Sequence, residues 1–453
     1  MPRLPGPRRG RANLNATRIV ALSFGGVIAV GTLLLMLPVS SANGASCGFL
    51  TALFTATSAS CVTGLALVDT LTGWTFFGQL VILVMIQLGG LGFMTMLTLF
   101  SLALHRRINL SQRLIIVSSL NLNDMEGVVR LVGYALKTTF AVEGACAALL
   151  ALRFVPVYGL WGALWRGIFT SVSALCNAGF DLCGPSGGGS LMTFQNDPFV
   201  LLIIMFLITY GGLGFFVWMD MKKARCWKKL QLYSRLVLGM TVGLILAGWL
   251  YFFVAEYNNP ATLGPMSVGE KLLNSLFQSV TLRTAGFYAV PQGGLRDSSL
   301  AVSCLFMFIG GSSGSTAGGI KTVTAAVLLL ALRAGLCGKN EVTLRRRSIP
   351  MHRVLNALTL VLVVLALFCF GSIAISLADN VPYLDAAFEA ASAIGTVGLS
   401  TGITGSLSPF SHVLLIGLMY LGRVGILSFS IAFLTAGRFP PKIQYPAVDI
   451  MIG

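Results

Sequence analysis

Four short segments of this 453-residue chain share an order of residue types that suits the coordination of a dehydrated cation by the backbone. Each begins with phenylalanine, continues through small and hydroxyl-bearing residues, and ends at a glycine followed by leucine or phenylalanine. The segments are residues 54–65, 169–180, 277–287 and 388–399. Their glycines are 115, 107 and 112 residues apart, and such a near-constant spacing indicates an internal repeat.

The glycine in each segment permits a loop that aims consecutive carbonyl groups in one direction, since a residue with a Cβ resists the backbone angles required. A ring of carbonyl oxygens can replace the hydration shell of a monovalent cation. Ser58, Ser173 and Ser392 each lie six residues before their glycine, and the third copy is one residue shorter. The alternative interpretation is that the segments are only glycine-rich turns between other elements.

The composition sets these segments in a membrane. Hydrophobic residues make up 55% of the chain and charged residues 10%, against roughly 25% charged in a soluble domain. This excludes a disordered chain, a coiled coil, a disulfide-stapled secreted domain and most soluble enzymes. Apolar runs approaching or exceeding the ~20 residues that cross a bilayer predict eight spans. They are residues 19–37, 75–104, 131–152, 199–219, 236–255, 298–320, 354–378 and 410–437.

Each motif lies between two predicted spans and is too short to cross, so we expect it to enter the membrane and return. Non-helical backbone at that depth is tolerated only where it is buried or lines a water-filled cavity. The predicted fold is an all-α polytopic membrane protein, with four covalently linked helix–re-entrant pore loop–helix repeats around one pore. Its parts are a cytoplasmic N-terminal segment 1–18, repeats 19–105, 127–222, 230–335 and 353–437, and a cytoplasmic tail 438–453.

The net charge of +16 is unevenly distributed. Lysine and arginine cluster at both ends and in three of the segments between spans, which predicts that these parts face the cytoplasm. We attribute this basicity to topology and to the lipid bilayer rather than to nucleic acid. Most acidic residues fall on the opposite face, where they would concentrate cations, so anion transport is the weaker hypothesis.

The second span of the third repeat is predicted to be broken. Residues 310–319 contain five glycines, three serines and a threonine, a composition that does not sustain a helix. A phosphate-binding loop is excluded, because its motif requires a lysine directly after the second glycine and here Ile320 lies between Gly319 and Lys321. In the first two repeats we interpret the mid-span glycines as sites of close helix packing.

Arg423, Arg283 and Glu143 are charged residues within predicted membrane segments. Arg423 is expected to bond loop carbonyls or a serine hydroxyl, because an intramembrane charge costs at least ~2.5–3.5 kcal/mol and usually marks an interior position. The alternative is an arginine paired with a carboxylate. Arg283 is expected to point behind the pore loop and hold its helix, and Glu143 is expected to have a structural partner such as Lys137. The cysteines and histidines show no spacing typical of a metal site or a catalytic triad.

The four segments, together with residues 311–321 and 421–425, resemble the KtrB/TrkH/HKT superfamily of potassium transporters, over essentially the whole chain. Four repeats without an extra N-terminal helix pair, and a short tail, are most similar to the KtrB branch. The resemblance implies that K⁺ is the transported ion, that filter backbone oxygens hold it, and that no covalent cofactor takes part. The implied filter residues are Val62, Thr63, Gly64, Asn177, Ala178, Gly179, Thr284, Ala285, Gly286, Thr396, Val397 and Gly398.

The resemblance also implies a gate made by an intramembrane loop, residues 310–321, below the filter. The implied gating residues are Gly310, Gly311, Ser312, Ser313, Gly314, Ser315, Thr316, Gly318, Gly319, Lys321 and Arg423. A homodimer on cytosolic nucleotide-binding regulatory subunits of the KtrA/TrkA type, and Na⁺ as a candidate activator, follow from the same resemblance. Two alternatives remain open: a Na⁺ or Na⁺/K⁺ transporter of the same fold, and a non-transporting membrane scaffold or sensor. A membrane enzyme is least favoured, because the spans lack paired carboxylates and histidine clusters.

Overall fold

The computed structural model describes residues 10–92, 128–184, 189–339, 341–345 and 347–425, and within them regular structure is almost entirely helical. The predicted N-terminal segment lies largely, and the C-terminal tail wholly, outside the described residues. The α-helices are α1 (Gly10–Leu35), α2 (Phe49–Cys61), α3 (Thr70–Gly73), α4 (Phe76–Leu91), α5 (Val128–Cys176), α6 (Pro198–Leu213), α7 (Phe215–Ala224), α8 (Leu232–Glu256), α9 (Val268–Thr281), α10 (Asp297–Phe308), α11 (Thr322–Leu336), α12 (Met351–Asp379), α13 (Tyr383–Gly395) and α14 (Pro409–Val424). One two-stranded hairpin pairs β1 (Thr343–Leu344) with β2 (Arg347–Ser348).

The helices that carry the four motifs are too short to cross a bilayer. Helices α2, α9 and α13 have 13 or 14 residues and span about 20 Å, against a hydrocarbon core of about 30 Å. The fourth is the last part of α5, which is interrupted at Gly159 (φ 70°) and contains Pro156. We call these four segments, α2, residues 160–176, α9 and α13, the pore helices.

The repeats close into a ring. Within a repeat each pore helix packs against the helix before or after it, as α1 and α4 pack on α2 and α8 packs on α9. Between repeats, α4 contacts α5, α6 contacts α9, α10 contacts α13, and α14 returns to contact α2. Four consecutive units therefore surround one axis.

The core lies along this axis, and the outside of the ring is apolar and exposed. The phenylalanines that open the motifs, Phe54, Phe169, Phe277 and Phe388, are all fully buried. By contrast α12 exposes a row of large apolar side chains that includes Leu355, Leu362 and Phe370. An apolar exposed surface of this kind is suited to lipid.

By length and composition, three helices in the described ranges can cross a membrane, and a bent pair would make a fourth. They are Gly133–Cys176, Leu232–Glu256 and Met351–Asp379, with the pair Pro198–Leu213 and Phe215–Ala224 bent by 96°. The second helices of the first and fourth repeats, α4 and α14, have 16 residues each, and the remainder of their predicted spans lies outside the described residues.

The mid-span glycines do more than the close packing expected of them. That packing is present: a Cβ on Gly89 or Gly211 would lie 2.1 Å from the carbonyl oxygen of Ser60 or Leu175 at the end of the pore helix. However, the second repeat is also broken, since the chain bends at Gly214, where φ is 83°. Helix α4 ends in the same way before Gly92, at φ 81°. A break in the third repeat alone was therefore too narrow an expectation.

The buried motif phenylalanines should carry much of the packing between repeats. We predict that Phe388→Ala lowers the free energy of unfolding by about 3 kcal/mol or more, as for other buried phenylalanines. Phe370→Ala is the control, because Phe370 is 61% exposed. The measurement is thermal unfolding of the purified protein in detergent. Equal losses for the two variants would contradict this assignment of the core.

Candidate cation pathway

The four predicted filter segments adopt one backbone conformation. Each has a residue in the left-handed region two positions before its glycine, with φ of 57°, 60°, 65° and 51° at Val62, Asn177, Thr284 and Thr396. The glycines follow at φ of 99°, 70°, 81° and 94°. Left-handed valine and threonine are rare, and strain of this kind clusters at functional sites. We call the segments 62–64, 177–179, 284–286 and 396–398 the filter turns.

The filter turns meet around the axis and leave no room for side chains on their glycines. A Cβ on Gly64 would lie 2.5 Å from the Ala178 oxygen, and one on Gly179 would lie 3.0 Å from the Ala285 oxygen. A Cβ on Gly286 would lie 2.5 Å from the Val397 oxygen, and one on Gly398 would lie 2.1 Å from the Thr63 oxygen.

The contacts run from the first turn to the second, the third, the fourth and back to the first. Each glycine thus faces the carbonyl immediately before the glycine of the next repeat. The twelve predicted filter residues are brought together in one closed ring of backbone.

Two filter turns are held by a serine from their own pore helix. Ser58 Oγ accepts a hydrogen bond from Gly64 N at 3.0 Å, and Ser392 Oγ accepts one from Gly398 N at the same distance. Ser173 occupies the equivalent position in the second repeat, but its buried hydroxyl has no hydrogen-bond partner among the described residues. The serine at this position therefore braces the first and fourth turns and not the second.

The third turn is braced differently. Thr281 Oγ1 donates to the carbonyl of Phe287 at 2.5 Å, across the turn. Arg283 is buried, and its Nη2 donates to the carbonyl of Gly310 at 3.3 Å. The expectation that Arg283 holds its own pore helix misses this contact, which connects the third filter turn to the predicted gating loop.

The predicted gating loop is non-helical from residue 309 to residue 321, between α10 and α11. Its base is closed by hydrogen bonds from Gly310 N to the Ile320 carbonyl and from Thr322 N to the Gly311 carbonyl, at 2.9 and 3.0 Å. Its upper part lies directly against the filter, because a Cβ on Gly318 would fall 1.9 Å from Thr396 Oγ1. The glycine-rich composition thus allows the loop to approach the filter turns.

The loop also satisfies carbonyls that the bend of the second repeat frees. Ser312 N and Thr316 N donate to the carbonyls of Gly212 and Gly211, at 2.9 and 3.3 Å. Thr316 Oγ1 donates to the Leu175 carbonyl at 3.0 Å, one residue before the end of that pore helix. Backbone groups in a membrane need such partners, so the loop and the bend stabilise each other.

The other predicted gating residues make contacts within the loop or to helices beside it. Ser315 Oγ donates to the Ser312 carbonyl at 2.6 Å, and the Ser313 carbonyl accepts from Tyr233 OH at 3.2 Å. The carbonyl of Gly314 accepts from Phe215 N at 3.1 Å. Lys321 Nζ donates to the Ala317 carbonyl at 2.7 Å, within the loop.

Arg423 bridges the loop and the first repeat. Its Nη1 donates to the Thr316 carbonyl at 2.5 Å, and its Nη2 donates to the Gly89 carbonyl at 2.5 Å. The partners are therefore carbonyls rather than the serine hydroxyls offered as alternatives. Nor does Arg423 form an ion pair: within the described ranges the only pair is Arg153 with Asp197.

Glu143 does not have the partner that the sequence suggested. Both of its carboxyl oxygens lie 3.2 Å from Gln87 Nε2, which donates to them, and no ion pair with Lys137 is formed. Gln87 lies on α4 two residues before Gly89. A neighbour in sequence, Lys137, was the wrong choice because the partner comes from the adjacent repeat.

An acidic side chain lies beside the second turn. Asp181, two residues after Gly179, accepts a hydrogen bond from Cys183 N at 3.0 Å. Burial raises the pKa of the Asp181 carboxyl to about 6, so at neutral pH this carboxyl keeps its charge. A negative charge there attracts cations to the ring.

A closed ring of backbone turns inside a helical bundle, with an intramembrane loop beneath it, is the architecture of a multi-pass membrane protein that conducts ions, and not of an enzyme. The family model described as "TrkH: Cation transport protein" matches residues 11–438. The chain therefore belongs to the TrkH family of cation transport proteins.

Individual relatives agree. The chain is 39% identical to the potassium/sodium uptake protein NtpJ of Enterococcus hirae, covering 98% of this chain and 99% of that protein. It is also 39% identical to the Ktr system potassium uptake protein B of Bacillus subtilis, covering 96% of each chain. The crystal structure of the potassium transporter TrkH from Vibrio parahaemolyticus superposes with a TM-score of 0.74 at 17% identity, covering 95% of this chain and 87% of that one. The predicted family, its KtrB-like character and its fold are confirmed.

The ring makes a direct prediction for its glycines. Gly398→Ala should abolish most ion uptake, because its Cβ would collide with the Thr63 carbonyl, besides straining a residue at φ 94°. Gly402→Ala is a matched control: Gly402 has φ 105° but nothing within 4 Å of its Cβ position. The strain alone costs about 1–3 kcal/mol in either variant. Uptake by purified protein in liposomes separates the two, and equal losses would show that backbone strain rather than the ring is responsible.

Proposed function

We propose that this chain takes up K⁺ across the bacterial inner membrane through the ring of filter turns. The observation that carries the proposal is the closed contact of Gly64, Gly179, Gly286 and Gly398 with the neighbouring carbonyls. Carbonyl oxygens substitute for the water around K⁺, and each turn supplies one carbonyl to a ring of four at each equivalent position. An interior-negative membrane potential supplies ~2.3 kcal/mol per charge per 100 mV, which drives uptake without a nucleotide site in this chain.

The gating loop and Arg423 are proposed to control this path. Arg423 donates to one carbonyl of the loop and one of α4, and so ties the loop to the first repeat. Its charge there also opposes the passage of a cation. Release of the Thr316 carbonyl would free the loop to move aside.

The remaining parts of the proposal rest on the relatives. The name of the Bacillus subtilis protein refers to a Ktr system, which supports a transporter with more than one component. We propose a homodimer with cytosolic nucleotide-binding regulatory subunits, with both termini cytoplasmic and with Na⁺ as an activator. The basic segments between repeats, including the β1–β2 hairpin, are proposed as their docking surface.

The test is growth of a K⁺-uptake-deficient bacterium at low external K⁺, with this chain expressed alone or with a regulatory subunit. We expect rescue by the wild type and weak rescue by Gly64→Ser, because the serine Cβ would lie 2.5 Å from the Ala178 oxygen. No rescue under either condition, with the protein present in the membrane, would contradict K⁺ uptake.

A second candidate is uptake of Na⁺ as well as K⁺, since the Enterococcus hirae relative is named a potassium/sodium uptake protein. All four filter glycines are present, which favours K⁺. Competition of Na⁺ with Rb⁺ uptake in liposomes distinguishes the candidates: comparable affinities for the two ions would favour the second.

Arg423→Gln should loosen the gate. Glutamine carries no charge and cannot reach both the Thr316 and Gly89 carbonyls, so we expect higher K⁺ flux in the absence of a regulatory subunit and less stimulation by it. Lys271→Gln is a control, because Lys271 is a buried cation that donates to a backbone carbonyl, that of Tyr257 at 2.8 Å, and among the described residues it makes no hydrogen bond to the loop. Basal flux in Arg423→Gln at the wild-type level would contradict the role of this arginine.

A further inference from the structure

The second filter turn lacks the brace that its counterparts have. In the first and fourth repeats a serine hydroxyl accepts from the filter glycine, while the third uses Thr281 and Arg283. Ser173 makes no such bond in the described structure. Both polar atoms of the Asn177 side chain, in the turn itself, are also buried without a partner. The described structure thus gives this turn no brace like the others, although unpartnered hydroxyls also occur in the other three turns, at Thr63, Thr284 and Thr396.

A buried polar chain reaches the base of this turn from behind. Cys176, the last residue of the pore helix, donates its Sγ–H to Gln87 Oε1 at 3.5 Å. The other end of the same amide, Nε2, donates to the Glu143 carboxyl at 3.2 Å. Glu143 and Gln87 are 4% and 9% exposed, and Cys176 is fully buried.

Glu143 is itself fixed to the second pore helix. Ser171 Oγ donates to the Glu143 backbone carbonyl at 2.8 Å, five residues before Cys176. The carboxyl has no cationic partner in the described part of the chain, where Arg153 and Asp197 form the only ion pair. A buried carboxyl whose hydrogen-bonding partner is one amide cannot be explained as half of a salt bridge, and an intramembrane acidic residue is expensive to keep.

Gln87 also lies close to Arg423, the proposed gating arginine. Gln87 is followed two and three residues later by Gly89 and Gly90, whose carbonyls accept from Arg423. A Cβ on Gly90 would lie 2.6 Å from Cys176 Sγ, so this turn of α4 is packed against the end of the pore helix. Glu143 is therefore connected, through Gln87, to the part of α4 that contacts both the end of the second pore helix and Arg423.

We propose that Glu143 is a positioning residue for ion selectivity. It orients the Gln87 amide so that Gln87 holds Cys176, and this holds the left-handed Asn177 and the carbonyls of the second turn in the ring. The inference rests on the proposed K⁺ filter and adds to it a residue that does not touch the ion. It also accounts for how the second turn is held although Ser173 makes no hydrogen bond to it in the described structure.

The experiment compares Glu143→Leu with Glu143→Gln in purified protein. Glutamine keeps an oxygen that accepts from Gln87 Nε2, whereas leucine leaves Gln87 Nε2 without this acceptor. We expect Glu143→Leu to lower the ratio of K⁺ to Na⁺ uptake in liposomes about tenfold, the effect of one lost buried hydrogen bond on one side of the ring. Glu143→Gln should retain the wild-type ratio.

The matched control is Gln79→Leu. Gln79 lies on the same helix, two turns away, is buried to a similar extent, and joins α4 to α5 through Trp165 Nε1 at 2.8 Å. It does not contact a filter turn. We expect Gln79→Leu to lower the melting temperature without altering the ion ratio. An equal change of ratio in Gln79→Leu and Glu143→Leu would show a general packing effect and overturn the proposal.

A second pair of variants serves if Glu143→Leu does not fold. Cys176→Ala removes the hydrogen-bond donor to Gln87 Oε1, and Cys176→Ser supplies a donor there again. The readout, independent of transport, is the difference between the melting temperatures in K⁺ and in Na⁺, since an ion that binds only the folded state stabilises it. A reduced difference in Cys176→Ala that Cys176→Ser restores supports the proposal, and an unchanged difference in both variants contradicts it.

Failure of this inference is distinguishable from failure of the proposed function. If liposomes containing the wild-type protein take up no K⁺, and K⁺ does not raise the melting temperature of that protein, both the proposed function and this inference are contradicted. If the wild-type protein takes up K⁺ selectively in liposomes and the Glu143→Leu variant has the same selectivity, only the role of Glu143 is contradicted.

Discussion

The structure depends on the mutual approach of four glycines to their neighbours' carbonyls. Gly64, Gly179, Gly286 and Gly398 each occupy a position where a Cβ would lie 2.1 to 3.0 Å from a carbonyl oxygen of the next repeat. This contact sets the distance between the ends of the pore helices, which are largely buried there, and every turn has a left-handed residue two positions before its glycine. Because the ring is closed, a change in one turn displaces a neighbour on each side. The four repeats are therefore coupled to one another through the filter turns around one axis.

Next to the ring, the breaks in the second helices create polar backbone groups that the loop 309–321 and Arg423 bond. A helix that ends inside a membrane leaves carbonyls without partners, and such groups must be satisfied within the protein. The loop 309–321 and Arg423 satisfy several of them, including the carbonyls of Gly89, Gly211 and Gly212. The same hydrogen bonds that stabilise the broken helices thus hold the loop below the filter. Movement of the loop would have to exchange these bonds for others or for water.

Sequence reasoning reached the repeats because their signal is local and occurs four times. A phenylalanine, small residues and a glycine at fixed spacing define each turn, and five glycines in ten residues predict a non-helical segment. The bend at Gly214 was missed because its glycine follows a Gly-Gly pair that already had an explanation in helix packing. The partners of Glu143 and Arg283 were missed for a different reason. Gln87 lies in the adjacent repeat, 56 residues from Glu143, and Gly310 lies 27 residues from Arg283 in the loop of the same repeat, so only the packed fold brings these residues into contact.

The central claim is that a monovalent cation binds on the axis, surrounded by the carbonyls of the four filter turns. The most direct measurement is an experimental structure of the full chain in Rb⁺, with the ion located by its anomalous scattering. The account predicts a peak on the axis between the carbonyls of Thr63, Ala178, Ala285 and Val397, and the loss of that peak when Na⁺ replaces Rb⁺. Rb⁺ bound elsewhere, or an empty ring at saturating Rb⁺, would contradict it.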